Sequence, residues 1–102
     1  MSLIFEVVDK TGRKIRLTKE RWSHISSQIS PHAYMTNYLG EIKETLTKPD
    51  KIVRSATDEN KTNYYKYYKY RKSENKLLKI IVKYLNGDGF VISSYFVRKI
   101  SQ

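Results

Sequence analysis

The sequence predicts an α+β domain in which an N-terminal β-hairpin is followed by two helices packed on an antiparallel sheet of about four strands. Three features predict this architecture. Apolar and polar side chains alternate in residues 77–85, apolar side chains recur at helical spacing in residues 22–29, and Asn86-Gly87-Asp88-Gly89 is a strong hairpin turn. Since 102 residues fit one domain, we expect residues 1–102 to fold as a single unit.

The hairpin is expected to consist of strands at Ile4–Val8 and Lys14–Leu17, joined by the turn Asp9-Lys10-Thr11-Gly12. Thr18 follows at a position suited to a helix N-cap, because its hydroxyl can accept a hydrogen bond from a backbone N–H of the first turn. The chain is therefore expected to pass directly from the second strand into a helix.

Two helices are expected after this hairpin. The first carries an apolar stripe at Trp22, Ile25 and Ile29, and it stops at Ser30-Pro31 because proline disfavours the α conformation in the preceding residue. The second runs from about Thr36 to Thr47. Its inward side chains are expected to be Tyr38 or Leu39, Ile42 and Leu46.

In the second half of the chain, apolar and polar side chains alternate with the period of β-strands, which predicts a meander. Its strands are expected at Ile52–Ala56, Tyr64–Tyr70, Leu77–Leu85 and Phe90–Val97. The third of these strands alternates most regularly, with lysines on one face and aliphatic side chains on the other.

The composition excludes several functional classes. The chain has no cysteine, so disulfides and thiolate chemistry are ruled out, and its two histidines form no ligand-spaced cluster with carboxylates. We therefore expect neither a metal nor a cofactor. An apolar run long enough to cross a bilayer and a signal peptide are both lacking, which predicts a cytoplasmic protein without a membrane partner.

The charge balance is the most informative number. Twenty lysines and arginines against ten acidic residues give a net charge of +10 and an isoelectric point near 9.8. Such an excess attracts polyanions, of which nucleic acid is the commonest, although an acidic protein would also be attracted. The expected partner is RNA, with an acidic protein as the alternative.

Two histidines are candidates for acid–base chemistry. His24 lies off the centre of the apolar stripe of the first helix, on a polar side with Arg21 and Gln28, and His32 lies in the loop that follows. Cleavage of RNA by its own 2′-OH needs a base for that proton and an acid for the departing 5′-oxygen, and an imidazole suits both tasks. Either histidine could instead be an ordinary surface residue.

Cations and hydroxyls on the strands are candidates for substrate contacts. Arg54, Lys79 and Lys83 lie on or beside strands, where they could stabilise a phosphorane. In the last strand, Ser94 and Tyr95 interrupt an apolar pattern, and they either leave room for a ligand or simply fill space.

Five tyrosines alternate with cations in residues 63–72, a pattern suited to stacking on unpaired bases. Alternation puts Tyr65 and Tyr67 on one face and Tyr64, Tyr68 and Tyr70 on the other. Since tyrosine also favours strands in general, we expect at least half of these rings to belong to the core.

The segment Arg16-Leu17-Thr18-Lys19-Glu20-Arg21-Trp22-Ser23-His24-Ile25 resembles the signature of a phage-associated branch of the barnase–EndoU–colicin–RelE-like nuclease superfamily. The run from Thr45 to Ile52 and the hydroxyl-x-Tyr element of the last strand resemble the same branch. The resemblance implies a barnase/RelE-like fold, a single RNase-like domain at residues 1–102 and a toxin or mobile-element context. It implies His24 as catalytic acid or base, with Arg54, Ser94 and Tyr95 lining the site.

Three functions are therefore considered. The first is a toxin-like, metal-independent endoribonuclease with catalytic His24, Arg54 and Tyr95. The second is a noncatalytic RNA- or single-stranded-DNA-binding domain of the same fold, and the third is a basic module that docks an acidic antitoxin or immunity protein. The residues expected to contact substrate are Arg21, His32, Tyr65, Tyr67, Lys79, Lys83 and Ser94.

Overall fold

The structure is a computed structural model that describes residues 2–27 and 30–100. It is an α+β fold in which two helices lie on a six-stranded mixed sheet with strand order β1-β2-β6-β5-β4-β3. The strands are β1 (Leu3–Val8), β2 (Lys14–Thr18), β3 (Lys51–Arg54), β4 (Lys61–Tyr67), β5 (Leu77–Leu85) and β6 (Asp88–Val97). The helices are α1 (Lys19–Ser26) and α2 (Leu39–Thr47), and a short 3₁₀ helix covers Ala33–Asn37.

The predicted α+β class is confirmed, but the predicted sheet of about four antiparallel strands is wrong in strand number and direction. The N-terminal hairpin joins the meander because β2 pairs in parallel with β6, with Ile15 opposite Gly89 and Arg16 opposite Phe90. Gly89 makes this approach feasible: a Cβ atom there would collide with Ile15 and stand 2.9 Å from Cγ1 of Val82. Gly89 is thus a strand residue, not part of the turn.

The turn itself consists of Asn86 and Gly87, which join β5 to β6 with φ angles of 54° and 87°. Two consecutive positive φ values match the twist of the flanking strands, and asparagine and glycine tolerate them best. The hairpin position was therefore predicted correctly, and its loop is shorter than predicted.

Both helices differ in length from their predictions. Thr18 caps α1 as expected, accepting the backbone N–H of Arg21 at 3.1 Å, and Ile25 is buried. The helix ends at Ser26, and the predicted stripe residue Ile29, like Gln28, lies outside the described residues. Helix α2 begins later than predicted because residues 33–37 form the 3₁₀ helix, whose Met35 is fully buried.

A single core lies between the helices and one face of the sheet. It contains Ile25, Met35, Ile42 and Leu46 from the helical segments. The sheet contributes Phe5, Ile15, Leu17, Tyr64, Tyr68, Leu78, Ile80, Val82, Val91 and Phe96. All helices of the described chain therefore cover the same face, because every one of them contributes to this one cluster.

A buried hydrogen-bond network ties the β1–β2 turn to the meander. Asp9 accepts bonds from the backbone N–H groups of Thr11 and Arg13, each at 2.9 Å, and from the Tyr64 hydroxyl. Tyr64 also bonds to the hydroxyl of Tyr84. Burial, followed by these hydrogen bonds, raises the pKa of Tyr64 far above that of an ordinary tyrosine.

Arg71 closes the aromatic end of the core. Its guanidinium lies 3.8 Å from the ring centroid of Phe96 and 5.3 Å from the ring centroids of Tyr34 and Tyr38. A guanidinium over aromatic faces is attracted by the ring quadrupoles while its edge remains free to hydrogen-bond. Nη1 of Arg71 donates to the carbonyl of Asn75 at 2.9 Å, which holds the β4–β5 connection against the core.

Candidate nucleic-acid interface

The sheet face opposite the helices, here called the open face, carries a concentration of basic side chains. The strand register assigns to it the cations Lys14, Arg16, Lys51, Lys61, Lys79 and Lys83 and the carboxylates Glu6 and Asp88. Both of these carboxylates bond to Arg16, at 2.6 Å and 3.1 Å. Of the lysines of β3, β4 and β5 on this face, Lys61 pairs with Asp58 at 3.8 Å, and no ion pair of the others is found among the described residues.

Three of these lysines are the most available to a ligand. The ion pairs found within the described chain do not include Lys51, Lys79 or Lys83. Lys51 lies on β3 and Lys79 and Lys83 on β5, with β4 between these two strands, and the sheet fixes their spacing. Unpaired ammonium groups on a protein surface attract phosphates, since each retains its full charge for an external partner.

A histidine, a tyrosine and a lysine meet at the β6 side of the open face. The rings of His32 and Tyr95 stack with centroids 4.4 Å apart and an interplanar angle of 12°. Nζ of Lys79, the cross-strand neighbour of Tyr95, lies 5.6 Å from the Tyr95 ring centroid. We call these residues the His32–Tyr95–Lys79 cluster; Tyr95 and His32 both remain partly exposed.

The segment of residues 30–38 holds His32 in this place. Strand β2 ends beside the N-terminal half of β6, so the backbone of the C-terminal half needs another partner. Tyr34 supplies it, because the backbone N–H of Phe96 donates to the Tyr34 hydroxyl at 3.0 Å. The His32 backbone N–H donates to Ser30 Oγ at 3.1 Å, which positions the imidazole over Tyr95.

His24 is not part of this cluster. It is exposed on α1, one turn beyond Arg21 and on the same side of the helix, and no contact of its side chain is found with the described residues of the cluster. Arg21 is likewise exposed, in the first turn of α1. Helix α1 contacts β6 from the helix-covered side of the sheet, whereas Tyr95, on which His32 stacks, belongs to the open face.

Arg54 and Tyr95 belong to opposite faces of the sheet. Arg54 lies on the edge strand β3, opposite Thr62 of β4, and the strand register places it on the helix-covered face. Its Nη2 donates a hydrogen bond to the Glu59 carbonyl at 3.4 Å. It lines a separate cleft of about 460 Å³ together with Arg13. The structure therefore does not bring Arg54 to the surface on which Tyr95 lies.

Ser94 and Tyr65 are both inaccessible, although both were expected to contact substrate. Ser94 is 0% exposed and faces the helices opposite Ile80, with no hydrogen-bond partner for its hydroxyl among the described residues. Tyr65 belongs to the open face but is also 0% exposed, between Lys51 and Lys79 on the neighbouring strands. Neither side chain can reach a ligand on the surface without rearrangement.

The alternation predicted for the tyrosine-rich strand, which assigned each ring to one face, is largely correct. Tyr64 and Tyr68 are core residues, whereas Tyr67 belongs to the open face and is 55% exposed. Tyr70 lies beyond the end of β4 and donates a hydrogen bond to Glu41 of α2. The ring that can stack on a base from this strand is therefore Tyr67.

Sequence reasoning missed Phe90 and Lys51 as members of the open face. A β-bulge causes part of this error: Ser93 pairs with Ile81 and Val91 pairs with Val82, so Ile92 is the extra residue. Val91 consequently faces the core, whereas uninterrupted alternation had placed it on the Tyr95 face. The sequence near the turn, at Gly89 and Phe90, gave no indication of this bulge.

Comparison of the chain with protein-family models, curated proteins and solved structures finds no match. Among the described residues, no helix combines the length and apolar character needed to cross a membrane. Within residues 2–27 and 30–100, no group of three or more histidine, aspartate or glutamate side chains is arranged to hold a metal ion. The functional interpretation therefore rests on the chemistry of the open face.

Proposed function

We propose that this chain is a metal-independent endoribonuclease that binds single-stranded RNA on its open face. The observation that carries the proposal is the His32–Tyr95–Lys79 cluster, where an imidazole, a phenol and an ammonium group meet on a cationic surface. Unpaired lysines attract the phosphates, and the partly exposed rings of Tyr95 and Tyr67 stack on bases. Single-stranded RNA suits a sheet surface with exposed rings because its bases are free to stack.

The proposed reaction needs only protein side chains. The 2′-oxygen attacks phosphorus and loses its proton to one imidazole, while the bond from phosphorus to the 5′-oxygen breaks and the departing oxygen takes a proton from an acid. The products are a 2′,3′-cyclic phosphate and a 5′-hydroxyl. Lys79 and the Tyr95 hydroxyl stabilise the negative charge that develops on the phosphorane, and His32 performs one of the two proton transfers.

His24 is the candidate for the other proton transfer. It is exposed on α1, which borders the same strand as the segment of His32, and it lies within the Arg16–Ile25 run that resembles the nuclease signature. The two helices on one sheet face are compatible with a barnase/RelE-like fold, which we retain as part of the proposal. A toxin-like role in the cytoplasm belongs to the same proposal.

A noncatalytic RNA- or single-stranded-DNA-binding domain is the second candidate. It is favoured by the positions of two predicted site residues, since Arg54, expected to be catalytic, faces the other side of the sheet and Ser94, expected to contact substrate, is buried. On this interpretation the open face keeps its cations and exposed rings but performs no reaction. An acidic antitoxin or immunity protein would bind the same lysines, in competition with RNA.

The test is cleavage of a single-stranded RNA in EDTA by wild type, His32→Ala, His24→Ala and Lys43→Ala. The nuclease proposal expects a 2′,3′-cyclic phosphate product and at least a roughly hundredfold lower rate in each histidine variant. Lys43, an exposed residue of α2, serves as the control and keeps the wild-type rate. Salt-sensitive binding without any product selects the second candidate, and cleavage unaffected by His32→Ala removes the proposed mechanism.

A further inference from the structure

A second basic concavity lies on the same strand as the His32–Tyr95–Lys79 cluster. It is a cleft of about 570 Å³ where the first turn of α1 meets β6, and we call it the α1 cleft. Its charged side chains are Arg16, Lys19, Glu20 and Arg21, and its apolar side chains include Phe90 and Ile92. The cleft exists because the chain turns from β2 directly into α1, while β6 continues beyond the end of β2.

The cations of this cleft differ in whether a carboxylate neutralises them. Arg16 bonds to Glu6 and Asp88 and lies 5.8 Å from the ring centroid of Phe90. No ion pair of Lys19 or Arg21 is found within the described chain, and both are exposed. The cleft therefore combines a partly exposed aromatic ring, whose position is fixed by a neutralised arginine, with two cations that lack a carboxylate partner.

The α1 cleft and the cluster lie in sequence along β6. Phe90 and Tyr95 both belong to the open face, with Lys83 and Lys79 as their cross-strand neighbours on β5. Five residues of strand separate the two rings by at most about 16 Å. The bulge at Ile92 shortens this distance, and it also restores the alternation that brings both rings to one face.

We infer that the α1 cleft is a nucleotide subsite for the same RNA strand that occupies the cluster, an inference that rests on the proposed function. A base stacks on Phe90, and the adjoining phosphates contact Lys19 and Arg21. The strand then runs along β6 from Tyr95 to α1. Only a ligand of several nucleotides can occupy both positions. Sheet-based proteins that bind single strands contact about 4–16 nucleotides, so a ligand of this length is within the known range.

The test compares Lys19→Ala/Arg21→Ala with the control Lys43→Ala/Lys48→Ala, which removes the same charge from exposed positions of α2 and its C-cap. Alanine favours helices, and loss of cations from the positive end of α1 relieves a repulsion, so the cleft variant keeps its fold. Phe90→Leu removes the ring while leaving an apolar side chain. The probe is a short oligouridylate, titrated at several salt concentrations with each variant and with Tyr95→Ala.

The inference expects the slope of log affinity against log salt to fall in magnitude by about 1.4 in the cleft variant, about 0.7 for each lost phosphate contact. It expects Phe90→Leu to weaken binding roughly 5- to 150-fold and the control to match wild type. Binding that depends on Tyr95 but is equal in the cleft variant and wild type overturns the subsite and leaves the proposed function standing. An equal loss in the control also overturns the subsite, and absence of RNA binding by wild type refutes the proposed function itself.

Discussion

Tyr95 is the residue whose replacement separates RNA binding from RNA cleavage. Its ring is stacked on His32 at 4.4 Å and has the Lys79 ammonium 5.6 Å from its centroid, so the ring and the hydroxyl have different proposed tasks. The ring contacts a base, and the hydroxyl donates to the developing phosphorane. Tyr95→Phe removes only the hydroxyl, whereas Tyr95→Ala removes both.

The magnitudes follow from these two tasks. Loss of one stacking ring costs about 1–3 kcal/mol, so Tyr95→Ala is expected to weaken RNA binding roughly 5- to 150-fold. Tyr95→Phe keeps the ring, the stacking on His32 and therefore the wild-type affinity. Loss of a donor to a developing oxyanion costs about 10²–10³ in kcat, so Tyr95→Phe is expected to lower kcat by that factor while KM is unchanged.

The assay is fluorescence anisotropy for affinity and single-turnover cleavage in EDTA for rate, with Tyr70→Ala as the control. Tyr70 is 58% exposed but contacts Glu41 of α2 and not the open face, so its loss is expected to change neither quantity. If Tyr95→Ala binds RNA as tightly as wild type, the open face is not the binding surface. If Tyr95→Phe cleaves at the wild-type rate, the hydroxyl has no part in the reaction.

Three further predictions concern stability and are measured by denaturant unfolding. Gly89→Ala is expected to lower the free energy of unfolding by about 1–3 kcal/mol because its Cβ overlaps core side chains. Gly40→Ala in α2, where a Cβ meets open space, is expected to raise it by about 0.5–1 kcal/mol. Equal effects of the two substitutions would contradict the close β2–β6 packing. Tyr64→Phe is expected to cost about 1–3 kcal/mol at neutral pH. Because the pKa of Tyr64 is raised on folding, its contribution is complete below about pH 10 and falls as the pH rises further, so wild type should lose stability there more steeply than Tyr64→Phe. Arg71→Met is expected to lose about 1–2 kcal/mol from the aromatic end of the core, and an unchanged midpoint would show that its stacking is not stabilising.

Local patterns were sufficient to predict most elements. Strand β5 has the predicted bounds, Leu77–Leu85, because its alternation is uninterrupted and both ends carry turn residues. The strand predicted at Tyr64–Tyr70 begins too late: the polar residues 61–63 lay outside that prediction, yet they pair with residues 81–83 of β5. Polar side chains are compatible with strand pairing because the backbone supplies the hydrogen bonds.

The tertiary relations that form the site could not be predicted from local patterns. The parallel pairing of Ile15 with Gly89 joins residues far apart in the sequence, and no local period encodes it. The same holds for the stacking of His32 on Tyr95, which depends on where residues 30–38 find space beside β6. The positions of His24 and Arg54 relative to Tyr95 follow from these non-local contacts.

The most direct measurement of the RNA-binding surface is a titration of ¹⁵N-labelled protein with oligouridylate, followed by amide chemical shifts. RNA on the open face predicts the largest shift changes at Lys79, Phe90 and Tyr95, with little change at Lys43 and Lys48 of the helical side. Shift changes concentrated on the helical side, with the amides of β5 and β6 unmoved, would contradict the proposed interface.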